Sequence, residues 1–163
     1  MSTTPQPSNA PRQDPHSHHA DVHHHAPATA SPERTLSLSR LLTRAVVGAA
    51  GQKLGQLSDV IVRLRGANYP LVTGLVADIG GRRVFVPAQS VTDWDTEQVS
   101  LSSARADLRE FQRRDGEVLL RADILGHRLI DIPRARLVRA YDLELLHTGE
   151  GWVLAGADTR QTS

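Results

Sequence analysis

Several residue types are absent or scarce in this chain of 163 residues, and each absence excludes a class of function. There is no cysteine, which excludes disulfides, thiolate nucleophiles, cysteine-bound zinc and iron–sulfur clusters, and which fits a reducing compartment. Aromatic residues make up only 4% of the chain, so surfaces that stack single-stranded nucleic acid are not expected. The formal net charge of +1 gives no long-range field that would attract nucleic acid or a membrane.

Long apolar runs are also missing from the sequence. No stretch approaches the roughly 20 apolar residues that a membrane-spanning helix needs. The first residues contain neither the basic nor the apolar segment of a secretory signal peptide. We therefore expect a cytoplasmic protein, which reaches the inner face of a membrane only through a partner.

The composition changes near Arg34. Residues 1–34 contain six of the nine prolines, no glycine, and only Met1 and Val22 as sizeable apolar side chains. Such a segment buries too little apolar surface to offset the roughly 1 to 2 kcal/mol of backbone entropy that each ordered residue costs. The sequence thus predicts a disordered His/Pro-rich tail over residues 1–34, followed by a folded region from Leu36 onward.

Six of the eight histidines are concentrated in that predicted tail. Neutral imidazoles at this density bind Zn, Ni or Cu, but they suit magnesium poorly. Two interpretations stay open, a solvated tail that captures such ions adventitiously and a physiological metal site. The candidate ligands are His16, His18, His19, His23, His24 and His25.

Short apolar segments separated by glycine dominate the folded region, where all twelve glycines lie. Alternating apolar and polar residues, many of them β-branched, predict strands rather than helices. The Gly80-Gly81 pair supplies the positive φ angles of a tight hairpin turn. Strands are predicted at residues 57–64, 71–79, 83–86, 99–101, 118–120, 128–132, 137–146 and 152–155.

One segment has helical rather than alternating spacing. Leu108 and Phe111 lie three residues apart among charged residues, which predicts a short amphipathic helical connector over Ala104–Arg113.

Two parts of the folded region are similar to each other. A shift of 83 places lays Asp59–Val62 over Asp142–Leu145. A shorter shift lays the Gly80-Gly81 turn over the turn at Gly149–Gly151. The comparison predicts two related β-units.

A longer pattern extends over residues 46–91. It reads Val46-Val47-Gly-Ala-Ala-Gly51-Gln-Lys-Leu-Gly55-Gln-Leu-Ser-Asp59-Val60-Ile-Val, then Thr73-Gly74-Leu-Val, Gly80-Gly81-Arg and Phe85-Val-Pro87-Ala-Gln-Ser-Val91. This pattern resembles the PRC-barrel domain, a family named for the cytoplasmic domain of the photosynthetic reaction-centre H subunit and also found as half of a ribosome maturation factor. The resemblance covers about residues 38–102, and residues 116–158 match it more loosely.

Residues 108–125 are similar to the segment that links tandem PRC-barrel-like units in bacterial proteins that continue into the intracellular and CBS domains of MgtE-type magnesium transporters. The resemblance implies a mainly β fold with two small barrels, at residues 36–103 and 116–160, joined by a helical connector at 104–115. It implies a docking or regulatory module with no catalytic residues and no resident cofactor.

Most residues of the PRC-barrel-like pattern have structural interpretations. Gly51 and Gly55 suit a turn and a close backbone approach, and Asp59 is placed to accept backbone N–H groups at a strand end. Pro87 cannot donate to a strand ladder, which predicts the end of an edge strand. Trp94 and Trp152 are expected in core or rim packing rather than in a binding cage.

A group of arginines in the second unit has few acids close by, so it is the first candidate for a partner site. It comprises Arg134, Arg136 and Arg139. The leading hypothesis is a non-enzymatic cytoplasmic adaptor or regulatory module whose partner is a protein, with a membrane transporter or another membrane complex among the alternatives. A second hypothesis is an accessory to divalent-cation transport or homeostasis, with the histidine tail binding metal. A third is a ribosome-assembly factor.

Overall fold

The computed structural model of the chain describes residue 3, residue 5, and residues 34–94, 97–102 and 109–162. This part is mainly β, as the sequence predicts, and its strands form one curled sheet that resembles half a barrel. Two separate barrels are not shown, because strands from both predicted units hydrogen-bond into the same sheet.

Twelve strands and short helical turns follow one another along the described chain. The first half contains β1 Thr35–Ser37, α1 Leu38–Leu41, β2 Ala45–Val47, β3 Lys53–Arg65, β4 Asn68–Ile79, β5 Arg82–Pro87, a 3-10 turn Ala88–Ser90, β6 Val91–Asp93 and β7 Gln98–Leu101. The rest contains β8 Arg109–Glu110, β9 Glu117–Leu119, a π-helical turn Leu120–Ile124, β10 Arg128–Asp131, β11 Arg136–Thr148 and β12 Gly151–Gln161.

All eight predicted strands are present. The predicted Gly80-Gly81 hairpin joins β4 to β5, and the two glycines have φ angles of 58° and 80°. The strands are longer than the sequence pattern suggested, because β3 and β4 continue to a turn at Gly66, where φ is 66°.

The predicted helical connector is not shown. Residues 103–108 lie outside the described residues, and Arg109–Glu110 form β8, which pairs with Val84 and Phe85 of β5. Phe111 directly follows β8 and donates its N–H to the Arg83 carbonyl at 3.0 Å. Its side chain packs against Ile61, Val76 and Leu119, so its apolar character serves the contact with the sheet.

The sheet runs in the order β1-β11-β12-β4-β3-β2-β7-β6. Four further strands branch from it: β10 pairs with β11, β9 with β3, β5 with β4, and β8 with β5. Between the two long hairpins, β3–β4 and β11–β12, the strand ladder has a single residue pair, Leu71 with Val153. The hydrophobic core lies in the concave interior of the curled sheet, where Leu38, Leu57, Leu75, Leu120 and Leu145 are fully buried.

The internal repeat extends over more elements than the sequence comparison indicated. When 83 is added to their residue numbers, the ranges of β2, β3 and β4 coincide with those of β10, β11 and β12 to within one residue. The same shift relates β1 and α1 to β9 and the π-helical turn, within one residue. The chain therefore contains two copies of one five-element arrangement.

Each copy exchanges its first strand with the other. β1 pairs with β11 of the second copy, whereas β9 pairs with β3 of the first copy. The helical turns follow the same exchange, and their buried residues Leu38 and Leu120 both have 0% exposure. The two halves of the sheet are thus interlocked rather than placed side by side.

One part of the repeat prediction is wrong. The Gly149–Gly151 turn joins β11 to β12, so its equivalent is the Gly66 turn between β3 and β4, not the Gly80-Gly81 turn between β4 and β5. The sequence comparison aligned two glycine pairs, but the long hairpins keep the 83-residue spacing through the turn.

Among the residues that the structure describes, no helix has both the length and the apolar character required to cross a membrane.

Candidate functional site

The three arginines predicted to bind a partner lie at the β10–β11 hairpin. Arg134 is in the turn, and Arg136 and Arg139 are on β11. Arg136 and Arg139 are three residues apart on a regular stretch of strand, so their side chains leave opposite faces of the sheet. The structure therefore does not bring the three guanidinium groups together into one patch.

Asp131 neutralises two of these arginines. Its Oδ2 lies 3.2 Å from Arg134 Nη1, and 3.5 Å from Arg136 Nε, which forms no hydrogen bond. Burial raises the pKa of Asp131, but the hydrogen bonds from Arg134 and the charge of Arg136 outweigh it and place the pKa below its usual value. Asp131 therefore keeps its charge, and Arg134 and Arg136 form a local ion-pair network rather than an open basic site.

Arg139 belongs to a different surface, on the outer side of the sheet. It is directly opposite Arg128 of β10 on one side and Arg160 of β12 on the other. Its Nη1 donates to the Gly126 carbonyl at 2.8 Å. Three like charges in one cross-strand row repel each other, so a negatively charged partner would relieve the repulsion.

Exposed apolar side chains lie beside this row. Ile130 of β10 pairs with Leu137 of β11, and the two are 70% and 48% exposed. Ile132, in the adjoining turn, is 82% exposed. We call Arg128, Ile130, Ile132, Leu137 and Arg139 the hairpin face.

Sequence reasoning placed Arg139 in the candidate site but missed its apolar neighbours. Residues 128–132 were predicted as a strand, and β-branched residues in a strand are compatible with a buried position. The exposure of Ile130 follows from the alternation of side chains along a strand, because its neighbour Leu129 packs against the core.

The residues of the PRC-barrel-like pattern have structural roles. Gly51 has a φ of 81°, and a Cβ at Gly55 would lie 2.0 Å from the Asp78 carbonyl oxygen, which confirms the predicted turn and close approach. Pro87 is the last residue of β5, as predicted, but β5 is not an edge strand, because β4 pairs with one side of it and β8 with the other.

Asp59 accepts backbone N–H groups, as predicted, but it does so from the middle of β3 and not from a strand end. It also shows how the exchanged segments are held. It is 2% exposed, and its carboxylate accepts backbone N–H groups from Val60 at 2.8 Å, Arg121 at 2.7 Å and Ala122 at 3.0 Å. The last two donors lie in the π-helical turn after β9. Asp59 therefore fastens the entering segment of the second copy to the long strand of the first.

Asp142, at the equivalent position of β11, does the same for α1. It accepts hydrogen bonds from Ser37 Oγ at 2.5 Å, from Ser39 Oγ at 2.6 Å, and from the Ser39 and Leu143 N–H groups. Partial burial raises the pKa of Asp142, but these hydrogen bonds outweigh burial and hold the pKa below its usual value. The repeat thus places one anchoring carboxylate on each long strand.

Trp94 and Trp152 pack in the core, as predicted, with 7% and 5% exposure. Their ring centroids are 6.1 Å apart, and His147 lies edge-on to Trp152. They line a cavity of about 410 Å³ at the junction of the two long hairpins, together with Thr73.

All six candidate metal ligands of the tail, from His16 to His25, lie outside the described residues. Within the described part of the chain, no three histidine, aspartate or glutamate side chains are grouped as metal ligands. The metal-binding hypothesis stays a prediction.

Comparison with known proteins finds no matching family model and no curated protein of significant similarity. The resemblance to the PRC-barrel domain therefore stays a prediction that depends on the residues quoted above.

Proposed function

We propose that this protein is a non-enzymatic adaptor or regulatory module that binds a protein partner through the hairpin face. The observation that supports the proposal is the exposed cross-strand pair Ile130 and Leu137 beside an arginine row. Complete burial of one such side chain contributes about 1.5 to 3 kcal/mol of free energy, so a partner that covers the pair forms a more stable complex.

The charge on this face defines the chemistry of the partner. The outward positions of β10 and β11 in the hairpin are Arg128, Ile130, Leu137 and Arg139, and none of these is acidic. A protein surface that presents apolar side chains bordered by carboxylates would bury Ile130 and Leu137 with its apolar part and neutralise the arginines with its carboxylates. The partner is therefore expected to be acidic at its contact surface.

The proposal is tested by pull-down from native-host lysate and solubilised membranes with three variants of the full chain. Ile130→Ser/Leu137→Ser removes the apolar pair, and Arg128→Glu reverses one charge of the row. The matched control is Arg82→Glu, which reverses an exposed charge on β5, away from the hairpin face.

We expect a partner that is retained by wild type and Arg82→Glu and lost by both hairpin-face variants. Purified partner should then bind wild type at least about tenfold more tightly than Ile130→Ser/Leu137→Ser, which corresponds to about 1.4 kcal/mol. A partner that both hairpin-face variants retain with unchanged affinity would contradict the proposal.

A further inference from the structure

Among the strands that the structure describes, none pairs with one edge of β12 along most of its length. On one side β12 pairs with β11 from Val138 to Thr148, and on the other it pairs with β4 only at Val153. Residues 156–161 are exposed, and among the described residues no strand covers their second side. An uncovered strand edge presents unpaired N–H and C=O groups, which favour the addition of another strand.

Among the described residues, the internal repeat has a strand at this edge in the first copy and none in the second. In the first copy, β5 pairs with residues 74–79 of β4. The equivalent residues of β12 are 157–162, which have no such neighbour in the described chain. A Cβ at Gly74 would lie 2.3 Å from the Phe85 ring of β5, whereas Ala157 occupies the same position of the second copy and is exposed.

The backbone groups at the edge are arranged for pairing. The Thr162 N–H donates to the Leu137 carbonyl at 3.2 Å, so residue 162 faces β11. Backbone groups alternate sides along a strand, which directs the N–H and C=O groups of Ala157, Thr159 and Gln161 away from β11. Thr159 is the central one of these three residues.

The charged residues of β12 allow two copies of this strand to pair antiparallel with opposite charges facing each other. If two copies of β12 pair antiparallel with Thr159 opposite Thr159, then Asp158 of each copy is opposite Arg160 of the other. Neither residue pairs with the opposite charge within β11, because Asp158 is opposite Asp142 and Arg160 is opposite Arg139. The Arg160 guanidinium carbon lies 4.4 Å from the Tyr141 ring centroid, which supports the side chain on the outer face.

We propose that the open edge of β12 binds the β12 edge of a second copy of this chain, in an antiparallel two-fold interface centred on Thr159. The two sheets then join into one, and the two-fold symmetry gives two Asp158–Arg160 pairs, each between the two copies. This dimer goes beyond the proposed partner binding. Arg160 belongs to the arginine row beside the hairpin face as well, whereas Asp158 and Thr159 lie outside both, so Asp158→Arg and Thr159→Pro distinguish the two contacts.

The experiment measures the mass of the full chain by sedimentation equilibrium up to millimolar concentration. Asp158→Arg and Arg160→Asp each place like charges opposite one another twice, so we expect each to weaken the dimer about tenfold. The double variant Asp158→Arg/Arg160→Asp restores opposite charges and should restore the dimer. The control Asp115→Arg changes an exposed turn residue far from this strand in sequence and should leave the dimer unchanged.

Thr159→Pro removes the central outward N–H without removing a bond to β11, so it should abolish the dimer while the circular dichroism spectrum stays that of wild type. A monomeric wild type at millimolar concentration would overturn the proposal. Dimerisation of wild-type strength in Thr159→Pro, or in both single charge variants, would also overturn it, because the contact would then lie elsewhere.

Discussion

The two copies of the repeat share one hairpin architecture but differ in what covers it. In the first copy, β5 covers the edge of β4, and β8 in turn pairs with β5. In the second copy the corresponding edge of β12 is open in the described chain, and the neighbouring hairpin exposes Ile130 and Leu137. The strand edge that β5 covers in the first copy is therefore open in the second, and both surfaces that we propose for binding lie on the second copy.

The largest expected effects concern the feature that the two copies have in common, the exchanged segments. Leu38 and Leu120 are fully buried on opposite sides of the exchange. Leu38→Ala and Leu120→Ala should each lower the free energy of unfolding by about 3 kcal/mol, because each leaves a cavity. Urea denaturation of both variants measures this. If only one variant is destabilised, the two exchanged segments are not energetically equivalent.

The next largest effect distinguishes the two anchoring carboxylates. Asp59→Asn should lower the free energy of unfolding by about 2 kcal/mol, because a buried acceptor of three N–H groups loses its charge. Asp142 is only partly buried, so Asp142→Asn should lower the free energy of unfolding by less than Asp59→Asn does. Thermal unfolding of the two variants at neutral pH makes the comparison, and an equal loss would show that burial does not separate the two sites.

A third test examines β5, which has no equivalent in the second copy among the described residues. Gly74→Ala should lower the free energy of unfolding by about 1.5 kcal/mol, because the new methyl group meets the Phe85 ring. Ala157→Gly reverses the same difference in the second copy and should cost less than about 1 kcal/mol. Equal stability of Gly74→Ala and wild type would mean that β5 is free to move.

The pH dependence of Asp142 gives a smaller effect. Its pKa in the folded state lies below the usual 3.8, so its hydrogen bonds stabilise the fold above that pH and are lost as the pH falls through the folded-state value. Asp142→Asn should therefore cost about 1 kcal/mol at neutral pH. The difference from wild type should shrink as the pH is lowered below 3.8. A difference that is constant from pH 7 to strongly acidic pH would contradict the assignment.

The smallest effect is expected where the turns of the two copies meet. Arg65, before the β3–β4 turn, forms an ion pair with Glu150 in the β11–β12 turn. Glu150 is largely exposed, so Glu150→Gln should change the free energy of unfolding by no more than about 0.5 kcal/mol. A loss of several times that size in chemical denaturation would show that this ion pair holds the two hairpins together.

The strands could be predicted from the sequence because the residues that indicate a strand or a turn are neighbours in the chain. The alternation in Leu57–Leu64 and the Gly80-Gly81 pair depend only on neighbouring residues, and both are confirmed. The exchange of first strands was not predicted, because Leu36 pairs with Leu145 at the far end of the chain and nothing in either segment specifies that partner.

The candidate site was predicted only in part for the same reason. A run of arginines is visible in sequence, but whether an arginine is neutralised depends on the register of the β10–β11 hairpin. That register places Asp131 opposite Arg136 and leaves Arg139 between two other arginines. The exposure of Ile130 depends likewise on which side of β10 meets the core.

Because β1 pairs with β11 and β9 pairs with β3, we expect the two halves to stay associated without the covalent link between them. Each half supplies a strand that pairs with the long strand of the other half. A chain cut between residues 102 and 109 should therefore remain assembled, with the two fragments eluting together until the fold itself is denatured. Either half produced alone would lack the exchanged strand that pairs with its long strand, β9 for β3 and β1 for β11, so we expect each half alone to be less stable than the assembled pair.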